Sequence, residues 1–211
     1  IILLSLLILM FLYTYVLIIS IIVIAIIAWI EFYALISKIF LKSDIQDKIL
    51  RFLSKAVSLL YLIFLVSLIL ITKSKYPELE IFIIFSISIS IMSDIGGLVI
   101  GKIFKGRKLS TISPKKTISG SIGSFIFSLL LIPFFSSHLI TIVNPIILFA
   151  ITLIISFTSQ AGDLFISLLK RKSKVKDTSD LLPGHGGILD RIDGIIFAIP
   201  VGFLILNYFK L

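Results

Sequence analysis

IILLSLLILMFLYTYVLIISIIVIAIIAWI, residues 1–30, carries no charged side chain, and the first charge of the chain is Glu31. About 20 predominantly apolar residues suffice to cross the hydrocarbon core of a bilayer. The opening stretch is therefore longer than one span needs and reads as two. A cleavable signal peptide would show a basic start, a short apolar run and small residues at a cleavage site. This chain instead opens on Ile1 and stays apolar well past that length, and we expect its N-terminus to be truncated.

Outward from this stretch the same character persists. The hydrophobic fraction is 58% and the mean hydropathy +1.20, against roughly 45 to 50% apolar residues in soluble domains. The expected fold is an all-α polytopic membrane protein of about seven transmembrane helices, forming a single domain over residues 1–211. Apolar runs between charges place the spans at Ile1–Leu12 (truncated), Tyr15–Ile36, Phe52–Ile71, Leu79–Ile103, Ile118–Phe135, Pro145–Leu169 and Ile188–Tyr208. Tyr76-Pro77 marks one turn, and Pro133, Asn144 and Pro145 mark another.

Most of the basic residues gather in three loops: Lys38, Lys42, Lys48, Arg51 and Lys55; Lys102, Lys105, Arg107, Lys108, Lys115 and Lys116; Lys170, Arg171, Lys172, Lys174 and Lys176. Two expected crossings separate each cluster from the next, so all three emerge on one side, which the positive-inside rule makes cytoplasmic. The net charge of +9 then belongs to cytoplasmic loops and contact with anionic membrane lipids, and we expect no nucleic-acid partner. The absence of cysteine excludes disulfides, thiolate metal sites and cysteine nucleophiles.

Three places interrupt the apolar pattern. In Ser93-Asp94-Ile95-Gly96-Gly97 a carboxylate and two glycines sit inside a span. An ionisable group there usually faces a polar cavity, unless Asp94 lies at a helix end among headgroups. Ser113-Pro114-Lys115-Lys116-Thr117 closes a basic loop and opens the next helix, with Pro114 suited to an early helical position. Its lysines beside a helix N-terminus form a phosphate site or a juxtamembrane anchor for anionic lipid. The third runs from Gly162-Asp163 through Lys170-Arg171 and Lys176-Asp177 to Pro183-Gly184-His185-Gly186-Gly187-Ile188-Leu189-Asp190-Arg191-Ile192-Asp193. On a helix beginning near Ile188, Asp190 and Asp193 share a face, which suits a hard cation, while Arg191 points elsewhere. Gly184, Gly186 and Gly187 flank His185 in a loop where backbone amides could approach a phosphate. His185 itself reads either as a general acid or base or as a loop-ordering hydrogen-bond partner. Carboxylates, glycines and lysines together at a membrane surface suit phosphoryl or nucleotidyl transfer, in which the substrate's own oxygen is the nucleophile.

These residues resemble the phosphatidate cytidylyltransferase (CDP-diacylglycerol synthase) family. The run Ser167, Lys170-Arg171, Lys176-Asp177, Ser179, Leu182-Pro183, His185-Gly186-Gly187 and Asp190-Arg191-x-Asp193 is similar to that family's signature throughout. Ala28-Trp29-Ile30-Glu31-Phe32, Asp94, Gly101-Lys102, Ser113 to Thr117, Gly120 and Gly162-Asp163 support it in the expected order. The resemblance implies CTP and phosphatidate as substrates, CDP-diacylglycerol and pyrophosphate as products, a bacterial inner (plasma) membrane location and a homodimer. It implies a centre of Mg2+ and K+ on Asp163 and Asp190, with Asp193 and Asp94 nearby. It implies catalytic roles for Asp163, Lys170, Arg171, Lys176, Asp177, His185, Asp190, Arg191 and Asp193, and CTP contacts for Ser113, Lys115, Lys116, Thr117, Gly186 and Gly187. The sequence departs from the family at Ile118 and Ser119, where an aromatic residue and then Glu or Gln are usual, and at Ile95. Two other enzyme readings take a different acceptor, as in CDP-archaeol synthase, or transfer the γ-phosphate, as a CTP-dependent polyprenol or phytol kinase does. A transporter binding ions at Asp94 and Asp163 would leave the lysines and the glycine loop unexplained.

Overall fold

The computed structural model describes residues 14–40, 44–110, 112–114, 116–140, 142–181 and 186–210. The expected span over Ile1–Leu12, and Lys115, Leu182, Pro183, Gly184 and His185, lie outside the described residues. The helices are α1 (Thr14–Ile39), α2 (Ile45–Lys75), α3 (Glu80–Phe104) after a 3-10 turn at Pro77–Leu79, α4 (Ile118–Leu129), α5 (Ile132–Leu139), α6 (Pro145–Lys172), α7 (Leu189–Ile192) and α8 (Ile195–Lys210). An isolated antiparallel β bridge joins Lys108 and Thr117.

Five segments are long and apolar enough to cross a membrane: α1, α2, Pro77–Phe104, α6 and Leu189–Lys210. The bent pair α4 and α5 makes a sixth if it is taken as one span. The described residues thus carry up to six crossings of the seven expected. At 1.5 Å per residue, α6 is about 42 Å long, so Asn144 and Lys172 lie at opposite ends of the bundle. The α4–α5 pair therefore carries the chain from the Thr117 end to the Asn144 end.

The expected continuous helix over Ile118–Phe135 is broken instead at Leu130–Leu131, with a bend of 42°. Pro133 occupies the first turn of α5. It has no N–H to give to the carbonyl four residues back, and its ring clashes there, so the helix stops and restarts. Pro133 is accordingly helical rather than part of the turn assigned to it. Pro114 lies before α4, not within it; Thr117 is the N-cap, its hydroxyl accepting from Gly120 N at 3.1 Å.

α1 and α2 pair as a hairpin through Trp29, whose indole donates to the Lys55 carbonyl at 3.4 Å, and through the Lys55 ammonium over the Tyr33 ring. α3 and α4 meet along a seam of small residues. A Cβ added to Gly97 would stand 2.8 Å from Ser124 Oγ, and one on Gly120 would stand 2.8 Å from the Gly97 carbonyl oxygen. Only residues without side chains allow backbones this close, and such seams drive helix association in membranes.

Serines stitch α3, α4 and α6 together in the interior. Ser90 bonds Ser159 (2.7 Å), Ser156 bonds Ser93 (3.2 Å), Ser128 bonds Ser156 (3.0 Å) and Ser124 donates to the Ser93 carbonyl (2.7 Å). Each such bond contributes about 0.6 kcal/mol on average in a membrane. The set fixes the relative rotation of the two helices that carry Asp94 and Asp163 and of α4, which follows Lys116.

Candidate active site

All three basic loops gather at one end. Arg171 Nε donates to the Ile112 carbonyl at 3.2 Å, joining the second and third, and Glu31 of α1 bonds the loop after α6. Lys73 with Glu80 (2.6 Å) and Lys210 with Glu78 (3.6 Å) pair at the opposite end.

Asp94 stands ten residues before the end of α3 at Phe104, about 15 Å along the axis, and so is not at a helix terminus. It lies within electrostatic range of Asp163 and Lys116. Asp163 Oδ2 forms a close ion pair with Lys116, and its Oδ1 accepts from Ser167 Oγ at 3.3 Å. Asp193 is buried, accepts from Gly194 N at 2.8 Å, and lies within electrostatic range of Asp163, Asp94 and Lys170. Gly162 makes this approach possible, because a Cβ there would stand 2.8 Å from the Asp193 carbonyl oxygen.

The end of α6 shows how the loop is launched. Val175 N donates to the Lys170 carbonyl (3.0 Å) and Lys174 N to that of Arg171 (3.1 Å), with Lys174 in the left-handed region at φ 57°. This is a Schellman turn with lysine where glycine is usual. It sends the chain back so that Thr178 meets Asp190.

Asp190 organises the loop. Its Oδ1 accepts from Lys170 Nζ (2.6 Å), and its Oδ2 accepts from Thr178 N (2.8 Å) and Gly187 N (3.1 Å), with Thr178 Oγ1 2.9 Å away. Gly186 has φ 78°, a conformation that favours glycine. The Gly187 amide, expected to face a phosphate, is turned inward to this carboxylate. The helix expected to run on from Ile188 is also interrupted: α7 ends at Ile192, and Asp193 and Gly194 form a turn before α8. Asp190 and Asp193, three apart in one helical turn, take different partners.

Among the described residues no group of three or more His, Asp or Glu side chains is placed to hold a metal ion by itself. Asp94, Asp163 and Asp193 do bring three oxygen-donor carboxylates into one electrostatic neighbourhood. The two lysines beside them are already engaged, Lys116 with Asp163 and Lys170 with Asp190. Mg2+ is commonly held by one or two carboxylates completed by phosphate oxygens and water, and these carboxylates have the donor chemistry for such a site. Asp190 fits a ligand's place less well, because Lys170 Nζ, Thr178 N and Gly187 N already meet its two oxygens.

The remaining expected residues lie around this centre. Asp177 is exposed beside Gly186, and Lys176 and Arg191 are exposed. Arg171 clasps the Ile112 carbonyl, about 100° around the helix from Lys170. The Ser113 carbonyl accepts from Lys116 N at 3.0 Å, which curls the segment that presents Lys116. Ser119, at the departure from the family pattern, donates to the Lys105 carbonyl in a close contact and bonds Thr117 Oγ1 at 3.0 Å. It thus closes the second basic loop. Sequence reading missed the serines and gave Glu31 no role. The serines do repeat at helical spacing, at 86, 90 and 93, at 121, 124 and 128, and at 156 and 159.

A family model described as "Cytidylyltransferase family" matches residues 1–209. The chain is 41% identical over 143 residues to a phosphatidate cytidylyltransferase of Rickettsia typhi, covering 64% of this chain and 62% of that protein. It is 41% identical over 148 residues to one of Rickettsia prowazekii, covering 67% and 64%, and 41% identical over 119 residues to one of Bacillus subtilis, covering 56% and 44%. The chain thus spans less than two thirds of the length of these curated relatives.

Proposed function

The chain belongs to the cytidylyltransferase family, and from that premise we propose that it transfers the cytidylyl group of CTP to phosphatidate, giving CDP-diacylglycerol and pyrophosphate. A non-bridging oxygen of the lipid phosphate forms the new bond to the α-phosphorus of CTP. The bond from that phosphorus to the bridging oxygen breaks, and its electron pair leaves with pyrophosphate. No protein nucleophile is needed.

The observation that carries this reading is the convergence of Lys116, Lys170, Asp94, Asp163 and Asp193 at the end of the bundle that holds the basic loops. Lys116 and Lys170 meet phosphate charge, and Asp94, Asp163 and Asp193 are the groups that would hold Mg2+ and K+, our proposed cofactors. Bound there, the cations would neutralise the phosphates as pyrophosphate leaves. An apolar cavity of about 460 Å³ is lined by Phe32, Ile36 and Phe197 and by Leu169 and Leu189, the chain neighbours of Lys170 and Asp190, and suits the acyl portion of a lipid acceptor.

The helices make this a membrane protein. The cytoplasmic face of the bacterial inner membrane is our assignment, supported by the shared end of the basic loops. Support for a homodimer is confined to the family resemblance.

The test incubates purified protein in detergent with Mg2+, K+, α-labelled CTP and phosphatidate, and follows label into the lipid phase. Labelled CDP-diacylglycerol with release of pyrophosphate is expected. Transfer of γ-label with release of CDP would make the protein a kinase, and label entering only another lipid phosphate would correct the acceptor.

A further inference from the structure

Glu31 is a buried carboxylate on a helix that is otherwise aliphatic and aromatic around it. Burying a charge is costly unless it is paired or fully hydrogen-bonded, and among the described residues no ion pair is made to Glu31. Among the described residues its hydrogen-bond donors come from one distant loop and the helix start that follows it. Oε1 accepts from Ser179 Oγ (2.6 Å) and Ile188 N (3.0 Å), and Oε2 accepts from Thr178 Oγ1 (2.8 Å) and Leu189 N (2.8 Å).

These four donors lie in two pairs, one at each end of the segment 180–187 that carries the glycines. One carboxylate therefore closes the loop as a clasp. Thr178 Oγ1 also touches Asp190 Oδ2 at 2.9 Å, and Asp190 Oδ1 holds Lys170 at 2.6 Å. A continuous polar chain thus runs from α1 through Thr178 and Asp190 to Lys170 on α6. The clasp also explains why residue 187 is glycine: a Cβ there would fall onto Thr178 Oγ1 and Glu31 Oε2. A leucine or glutamine in place of Glu31 would be as compatible with a packed helix, but neither offers two oxygens to two pairs of donors.

We propose that Glu31 is a positioning residue, which holds Thr178 and Ser179 against Ile188 and Leu189 and, through Thr178, sets the Asp190–Lys170 pair for the nucleotide. The inference rests on the cytidylyltransferase reading. Glu31→Gln keeps size and one acceptor oxygen but turns an NH2 group toward the second pair of donors. It should raise KM for CTP and lower kcat, by roughly 100-fold in kcat/KM together, the scale of a misplacement of about 1 Å. KM for phosphatidate should stay within about twofold, a ratio smaller than one kilocalorie would produce. Thr178→Ser, which retains the bridging hydroxyl, should keep most of the activity, and Thr178→Val should fall with Glu31→Gln.

Thermal unfolding and gel filtration in detergent run beside the kinetics. Unchanged KM for CTP and unchanged kcat in a folded Glu31→Gln protein would overturn the inference. So would a loss confined to kcat, with both KM values intact and a lowered Tm, because that is the signature of a smaller folded fraction. Equilibrium binding of CTP alone separates the two levels. Wild-type protein that binds no CTP overturns the functional reading along with the inference, whereas binding by wild type that Glu31→Gln matches overturns the inference alone.

Discussion

Removing the charge of Asp190 while keeping its shape should abolish most turnover, and the structure gives the scale. The Asp190→Asn amide can present its oxygen to Thr178 and Gly187, but it then turns its NH2 toward the Lys170 ammonium, 2.6 Å from the oxygen it replaces. Alternatively it keeps the oxygen at Lys170 and sets donor against donor at Thr178 and Gly187. Either way Lys170 loses its counter-charge. The pair is largely enclosed, with side-chain exposures of 14% and 9%, and removing one partner of a buried pair costs ~3 to 5 kcal/mol. The low end applies because the enclosure is incomplete. That cost falls on the folded state; a displacement of Lys170 by about 1 Å would also lower kcat/KM for CTP roughly 100-fold. The assay is transfer of α-label from CTP to lipid across a range of CTP concentrations, with membrane insertion checked by extraction behaviour. Turnover within threefold of wild type would refute the role given to the Asp190–Lys170 pair.

Three further outcomes are expected. Lys116→Ala should leave Asp163 without its cation and reduce kcat/KM for CTP by roughly tenfold or more, the scale of a lost charge-assisted hydrogen bond; unchanged kinetics would remove Lys116 from the phosphate site. Gly123→Ala should lower the unfolding temperature in detergent, since its Cβ would press on Ile100 and stand 2.6 Å from the Gly96 carbonyl oxygen, an overpacking of about 1 to 3 kcal/mol; an unaltered Tm would mean that the α3–α4 seam is looser than it stands here. Chelation of divalent cations should abolish transfer and added Mg2+ should restore it, and full activity in excess chelator is the result that would sink the cation reading.

The spans were legible because hydropathy acts over whole helices. Pro145–Leu169 was expected where α6 runs Pro145–Lys172, and Leu79–Ile103 where α3 runs Glu80–Phe104. The largest boundary difference, at the start of α2, has a physical cause. Hydropathy stopped at Phe52, but the helix continues back to Ile45 through Lys48 and Arg51. Long basic side chains are compatible with helix and reach toward the interface. The cap signal was present, since Asp44 accepts from Ile45 N at 2.7 Å. The breaks at Leu130–Leu131 and at Asp193–Gly194 were harder to see, because a span's apolar content does not register whether its backbone is continuous.

The site was legible as a set of residues and not as an arrangement. The motif carried the charges of Asp163, Lys170 and Asp190, and nothing local said that Lys170 would spend its ammonium on Asp190 or that the Gly187 amide would turn inward. Those choices are made by burial: a carboxylate withdrawn from water takes the nearest donors, and the nearest donors belong to segments far apart in sequence. Glu31 and Leu189 are 158 residues apart, yet bond at 2.8 Å. The same logic accounts for the serines, which look unremarkable one at a time among isoleucines. Once α3 and α4 close along Gly96, Gly97, Gly120 and Gly123, the hydroxyls at 90, 93, 124, 128, 156 and 159 have no water to turn to and must find one another. That closure leaves Asp94 beside Lys116 and Asp163, so the small-residue seam helps to place the charged site as well as to pack the helices.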